Sequence, residues 1–120
     1  MLIYETEVLG KGDLVSAIAE ENMIILFGEN APSELKDYCV LIDVKGLNGN
    51  IQAGDTLTIG DASFAITSVG DVVEHNLTSL GHITLNFNGA TTPELAGTLH
   101  LEKQETPAVE AGMNITITRK

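Results

Sequence analysis

Tryptophan is absent from this 120-residue chain, which has only two tyrosines and three phenylalanines. Five scattered rings (Tyr4, Phe27, Tyr38, Phe64, Phe87) make no platform for stacking sugars or unpaired bases. Cysteine occurs once, as Cys39, so no internal disulfide forms and a reducing, cytoplasmic setting is expected. Cations are scarce, six Lys and Arg against seventeen Asp and Glu. The net charge of -11 disfavours nucleic acid and anionic membrane surfaces; it serves solubility and is also compatible with a partner with a basic contact face. No apolar run approaches the roughly 18 residues that cross a bilayer, so no membrane insertion is expected. Met1-Leu2-Ile3-Tyr4-Glu5 has neither the basic nor the apolar region of a signal peptide. No glycine loop of the nucleotide-binding kind is present, and Gly10-Lys11-Gly12-Asp13 reads as a turn. Three scattered histidines and one cysteine lack zinc-ligand spacing, and Glu20-Glu21 reads as a solvated face, not an acid/base pair.

What is present is alternation. The chain is long enough for one domain, residues 1–120, to bury a core without staples. Strands are expected over 2–9, 23–27, 39–44, 55–59, 63–69, 82–87, 97–101 and 114–118, with Gly60-Asp61 as a hairpin turn. Helical signals are fewer. Residues 13–20 open on Asp13 as an N-cap, 32–37 read as one turn behind Pro32, and 71–77 as one or two turns. Residues 102–107 read as loop. Gln52-Ala53-Gly54-Asp55 and Glu110-Ala111-Gly112-Met113 echo one another, each a glycine turn ahead of an alternating strand. The fold class is all-β: a small barrel or sandwich of about eight short strands with one or two short helical inserts.

Nucleophilic chemistry narrows to the histidines. His82 follows Gly81 at a strand start, where the glycine lets another backbone approach and leaves the imidazole accessible. A neutral imidazole nitrogen there is a candidate nucleophile, with the hydroxyls of Thr78, Ser79 and Thr84 as candidate donors. The bland alternative is a strand-end histidine bonded to a backbone carbonyl. His100 alternates with Thr98 opposite Leu99 and Leu101, so it is expected to face outward. If its strand neighbours that of His82, the two form a candidate pair; otherwise His100 is an ordinary solvent-facing residue. His75 reads as surface. Cys39 lacks the basic neighbours that activate a thiol and reads as a buried packing residue.

Several segments together resemble the glucitol/sorbitol-specific IIA component of the phosphoenolpyruvate-dependent sugar phosphotransferase system, over residues 1 to about 119. They are Ala31-Pro32-Ser33-Glu34-Leu35-Lys36-Asp37-Tyr38-Cys39, Val69-Gly70-Asp71-Val72-Val73-Glu74-His75-Asn76-Leu77, Leu80-Gly81-His82-Ile83-Thr84-Leu85-Asn86-Phe87-Asn88-Gly89 and Gly97-Thr98-Leu99-His100. The resemblance implies a cytoplasmic carrier that takes a phosphoryl group from phospho-HPr onto a histidine. The carrier then passes it to a cysteine of a membrane-associated IIB/IIC component, with no metal or organic cofactor. It implies His82 and His100 as site residues, since IIA proteins in several families pair two histidines. The chain departs from the family where the carrier histidine is usually assigned, a few residues after the tyrosine-cysteine pair. A gapless match from Tyr38-Cys39 places Ile42 there, and Asp43-Val44-Lys45 supplies no histidine. An alternative therefore stands beside the carrier reading: a non-catalytic regulatory or binding relative.

Overall fold

A computed structural model describes residues 1–120. In chain order the elements are β1 (Leu2–Lys11), α1 (Val15–Ala19), β2 (Met23–Gly28), α2 (Ser33–Lys36), β3 (Cys39–Ile42) and β4 (Thr56–Ile59). Then come β5 (Ala62–Val69), α3 (Val73–Leu80), β6 (Ile83–Asn86), β7 (Thr98–Leu101) and β8 (Asn114–Thr118). The strands form a closed barrel in the order β1-β3-β2-β6-β7-β5-β4-β8. All eight expected strands are present, and of the barrel and sandwich alternatives the barrel is the one observed. Closure leaves no free strand edge.

Alternation builds the wall. In β4, β6 and β8 every second residue is buried: Leu57 and Ile59, Ile83 and Leu85, Ile115 and Ile117. These side chains meet in one cluster of 23 buried residues, with Phe64 and Phe87 edge-on at 4.9 Å between ring centroids. Each fully buried Leu, Ile or Phe contributes roughly 1.5–3 kcal/mol of transfer free energy. A second, smaller cluster of Phe27, Ala31 and Cys39 lies outside the barrel, where Ile25 and Leu41 pack against it. Cys39 is thus a buried packing residue, and burial pushes its thiol pKa up.

Local departures have local causes. β3 ends at Ile42 instead of running to residue 44. α1 starts one residue later than its signal, with Leu14 at the N-cap and no side-chain cap, so Asp13 does not cap it. α3 runs to Leu80 because Gly81 closes it in the left-handed region at φ 68°, returning its N–H to the Leu77 carbonyl at 3.0 Å. Gly10 and Lys11 extend β1 instead of turning. The two echoing turns are alike: Asp55 N–H bonds to Gln52 O at 3.1 Å, and Met113 N–H to Glu110 O at 3.2 Å. Gly54 and Gly112 both take positive φ, at 96° and 93°. The strands they launch, β4 and β8, are antiparallel neighbours in the barrel.

Beside that pair sits an ion pair with a buried carboxylate. Asp55, 2% exposed, takes Arg119 Nε at 2.8 Å and Arg119 Nη2 at 2.9 Å, and also the Gln52 N–H at 2.8 Å. The guanidinium holds the Asp55 carboxyl below the usual carboxylate range. A carboxyl more acidic when folded stabilises the fold above its unfolded pKa of about 3.9, and that contribution is lost as pH falls toward the folded value. Urea unfolding of Arg119→Ala at pH 7 is expected to show a loss of about 1–3 kcal/mol. In Asp55→Asn the decline of stability below pH ~4 is expected to be shallower than in the wild type.

Candidate functional site

The geometry around His82 begins with two glycines. An ideal Cβ on Gly81 would lie 3.0 Å from Gly28 N, and one on Gly28 would lie 2.7 Å from Leu80 O. The end of α3 therefore seats on the end of β2 backbone against backbone. The chain leaves that contact at His82, whose ring stacks on Phe27 with centroids 4.1 Å apart and planes 24° from parallel. His82 Nδ1 lies 3.2 Å from the Leu26 carbonyl oxygen. A carbonyl only accepts, so Nδ1 carries the hydrogen and Nε2 keeps its lone pair. The ring is half-buried. His82 is thus the backbone-bonded strand-end histidine of the sequence reading, and the Leu26 bond fixes the tautomer that leaves the Nε2 lone pair free.

The other candidates fall differently. Thr78 Oγ1 donates to the Glu74 and His75 carbonyls and Ser79 Oγ to His75 O at 2.6 Å, so both expected donors are turned back onto α3. Thr84 stands two residues beyond His82 on the same face of β6, half-buried. His75 is exposed on α3, as expected.

His100 does not meet solvent. It points out of the barrel, as its alternation requires, but is only 1% exposed because the 88–97 connection lies over it. That strap is pinned by Thr67 Oγ1 and Ser68 Oγ, which donate to Ala90 O at 2.6 and 2.9 Å. An added Cβ on Gly70 would come within 2.2 Å of Ala96 O, so the far end of the strap also touches backbone. Asn88 Oδ1 accepts from Ala90 N–H at 3.1 Å and from His100 Nδ1 at 2.8 Å. His100 Nε2 is buried without a partner.

β6 and β7 are adjacent, as the pairing idea required, but they run parallel with Asn86 opposite His100. His82 lies four residues before Asn86, which at about 3.3 Å per residue puts the two histidines roughly 13 Å apart along the wall. The fold does not bring them within hydrogen-bond reach of one another. Ile42 is fully buried and belongs to the barrel core with Val40, on the side of β3 opposite Cys39 and Leu41. A side chain at that position reaches the core, not a partner. Sequence reasoning missed Phe27 and the Leu26 carbonyl, which support His82, and Asn88, which holds His100.

Burial holds the His100 pKa below its usual value, partly opposed by the charge of Glu94. Because the unfolded chain binds that proton more readily, stability is lost as pH falls below the unfolded pKa of about 6.5. The expected result is a fall in urea midpoint between pH 7 and pH 5 in the wild type and a flatter profile in His100→Asn.

Known proteins agree with this architecture. The family model for the PTS system glucitol/sorbitol-specific IIA component matches residues 3–116. The glucitol/sorbitol-specific EIIA components of Shigella flexneri and Escherichia coli strain K12 are each 35% identical over 100 residues, covering 83% of this chain and 81% of theirs. The crystal structure of a PTS system IIA component from Enterococcus faecalis V583 superposes with a TM-score of 0.82 at 32% identity, covering 93% of this chain and 97% of that one. The chain belongs to the glucitol/sorbitol-specific IIA component family of the phosphotransferase system.

Proposed function

We propose that this IIA component carries the phosphoryl group on Nε2 of His82. The observation that carries the reading is the half-buried imidazole whose Nδ1–H is held by the Leu26 carbonyl. The Nε2 lone pair attacks phosphorus of the phosphohistidine on HPr. The P–N bond to the donor breaks, and its electron pair returns to the HPr imidazole, which is released neutral after proton equilibration. Positive charge gained by the His82 ring is stabilised through Nδ1–H on Leu26 O, and the Phe27 face restricts ring rotation. In the second half-reaction a cysteine thiolate of the IIB component attacks the same phosphorus, and His82 Nε2 leaves with the electron pair. No residue needs to change its oxidation state.

His100 is a structural residue in this reading, since a partner protein does not reach a ring 1% exposed. The relatives' names support glucitol/sorbitol as the sugar, and the reading places the relay on the cytoplasmic side with HPr and a IIB/IIC component as partners. The alternative, a non-catalytic relative, drew its support from Ile42; with a nucleophile available at His82, that substitution favours it no longer.

Intact mass after incubation with phosphoenolpyruvate, enzyme I and HPr tests the assignment. The wild type, His75→Ala and His100→Ala are expected to gain one phosphoryl group and His82→Ala none. Loss in His100→Ala alone moves the carrier to His100. No gain in the wild type, with HPr competent on another IIA, overturns the carrier reading.

A further inference from the structure

The chain has two Asn-Gly steps, Asn48-Gly49 and Asn88-Gly89, and the fold treats them differently. Glycine matters in such a step because no Cβ keeps its nitrogen from the preceding side-chain amide. Both glycines take positive φ, 123° at Gly49 and 70° at Gly89. Gly89 N–H donates to Leu101 O at 2.7 Å, and Asn88 Oδ1 is held by the Ala90 N–H and by His100 Nδ1. Tied on both sides, the Asn88 amide and the Gly89 nitrogen cannot turn toward one another. In the loop after β3, Asn48 and Gly49 are both exposed, and neither the Asn48 side-chain amide nor the Gly49 N–H has a hydrogen-bond partner. An added Cβ on Gly49 would meet only the tip of Met1, at 3.5 Å. The flanks of this free step are fastened. Asn48 N–H donates to Ile3 O at 2.7 Å, Asn50 O accepts Arg119 Nη2 at 2.6 Å, and Ile51 N–H donates to Glu74 Oε2 at 2.7 Å.

We propose that Asn48 is a site of spontaneous deamidation in the folded protein, with water as the co-reactant, and that the fold protects Asn88. Exposed loop tips and asparagine amides are where slow chemical change concentrates. Gly49 N, its proton lost to solvent, attacks Asn48 Cγ. The N–Cγ bond forms, the Cγ–Nδ2 bond breaks, and the departing nitrogen takes that electron pair and a proton as ammonia, leaving a cyclic imide. Water then opens the ring at either carbonyl. Opening at Cγ gives aspartate, and opening at the main-chain carbonyl gives isoaspartate. No atom is oxidised or reduced. Isoaspartate routes the backbone through Cβ, so an extra atom enters between the Ile3 and Arg119 anchors. Asn50 O then draws away from Arg119, the guanidinium that also holds Asp55, and the loop that carries Ile51 into the core loses a fastening.

The test ages the intact protein in mildly alkaline buffer and follows both steps by peptide mapping, with a second sample held in urea above its unfolding transition. In the folded protein Asn48 is expected to convert about fivefold or more faster than Asn88, with isoaspartate the main product. In urea the two are expected to convert at similar rates. Folded Asn48→Gln is expected to keep its intact mass over the same period. The isoaspartate fraction is expected to unfold at lower urea than fresh protein. Asn48→Asp, which gains the charge without the extra backbone atom, is expected to keep the wild-type midpoint. Equal rates at the two steps in the folded protein, or a faster Asn88, overturn the proposal. A preference of the same size in urea assigns it to the flanking sequence and overturns the role of the fold. A wild-type midpoint in the isoaspartate fraction overturns the loosened fastening.

Discussion

Closure of the sheet governs the rest of this molecule. β8 pairs with both β1 and β4, so no strand lacks a neighbour and every strand residue faces either the core or the outer wall. That division settles which side chains are free for chemistry. Val40 and Ile42 fall inside, and Cys39 and Leu41 fall outside under Phe27 and Ala31. A nucleophile at position 42 would need the barrel to open. One on the outer wall, or where a helix hands over to a strand, needs nothing to move.

The two outer-wall histidines show how covering segments, not strand position, decide exposure. His100 stands on β7 and His82 just before its parallel neighbour β6, and both point away from the core. Each has a carbonyl-type oxygen on Nδ1, so each presents a bare Nε2. They differ in their cover. Over His100 the strap is fixed by Thr67, Ser68 and Asn88, and the unmatched nitrogen is shut away from water. At His82 the helix seats on β2 glycine to glycine, and Phe27 supports only one face of the ring. The first arrangement spends a polar atom on order, and the second keeps one available.

Much of this was legible in the residues. Period-2 alternation located most of the strands, because a wall with one buried face imposes it directly, and continuous apolar runs located β2 and β3. Gly60-Asp61 marked its hairpin, and the Gly54 and Gly112 turns were visible as the same device. Gly81 signalled a close backbone approach, and Gly28 is what it approaches. The burial of His100 was hidden because alternation reports which way a side chain points, not what long-range cover lies over it. The offset between His82 and His100 was hidden too. Adjacency of sequential strands is a fair expectation, but parallel register depends on how residues 87–97 are laid across the barrel end. The Phe27 stack and the Leu26 carbonyl belong to a strand more than fifty residues earlier in the chain, beyond the reach of local pattern.

The seam between β1 and β8, which joins Leu2 to Thr118, also bears on how the chain reaches this state. Bringing such distant segments together costs loop entropy before any contact compensates, and the parallel β2–β3 and β6–β7 pairs add further non-local contacts. Barrels of this kind fold in milliseconds to seconds, not the microseconds typical of helical bundles. Until the seam forms, Ile3, Tyr4 and Val8 wait without their partners and the nascent sheet has two open margins. The same topology that leaves the finished molecule without a free edge leaves its unfinished forms with two.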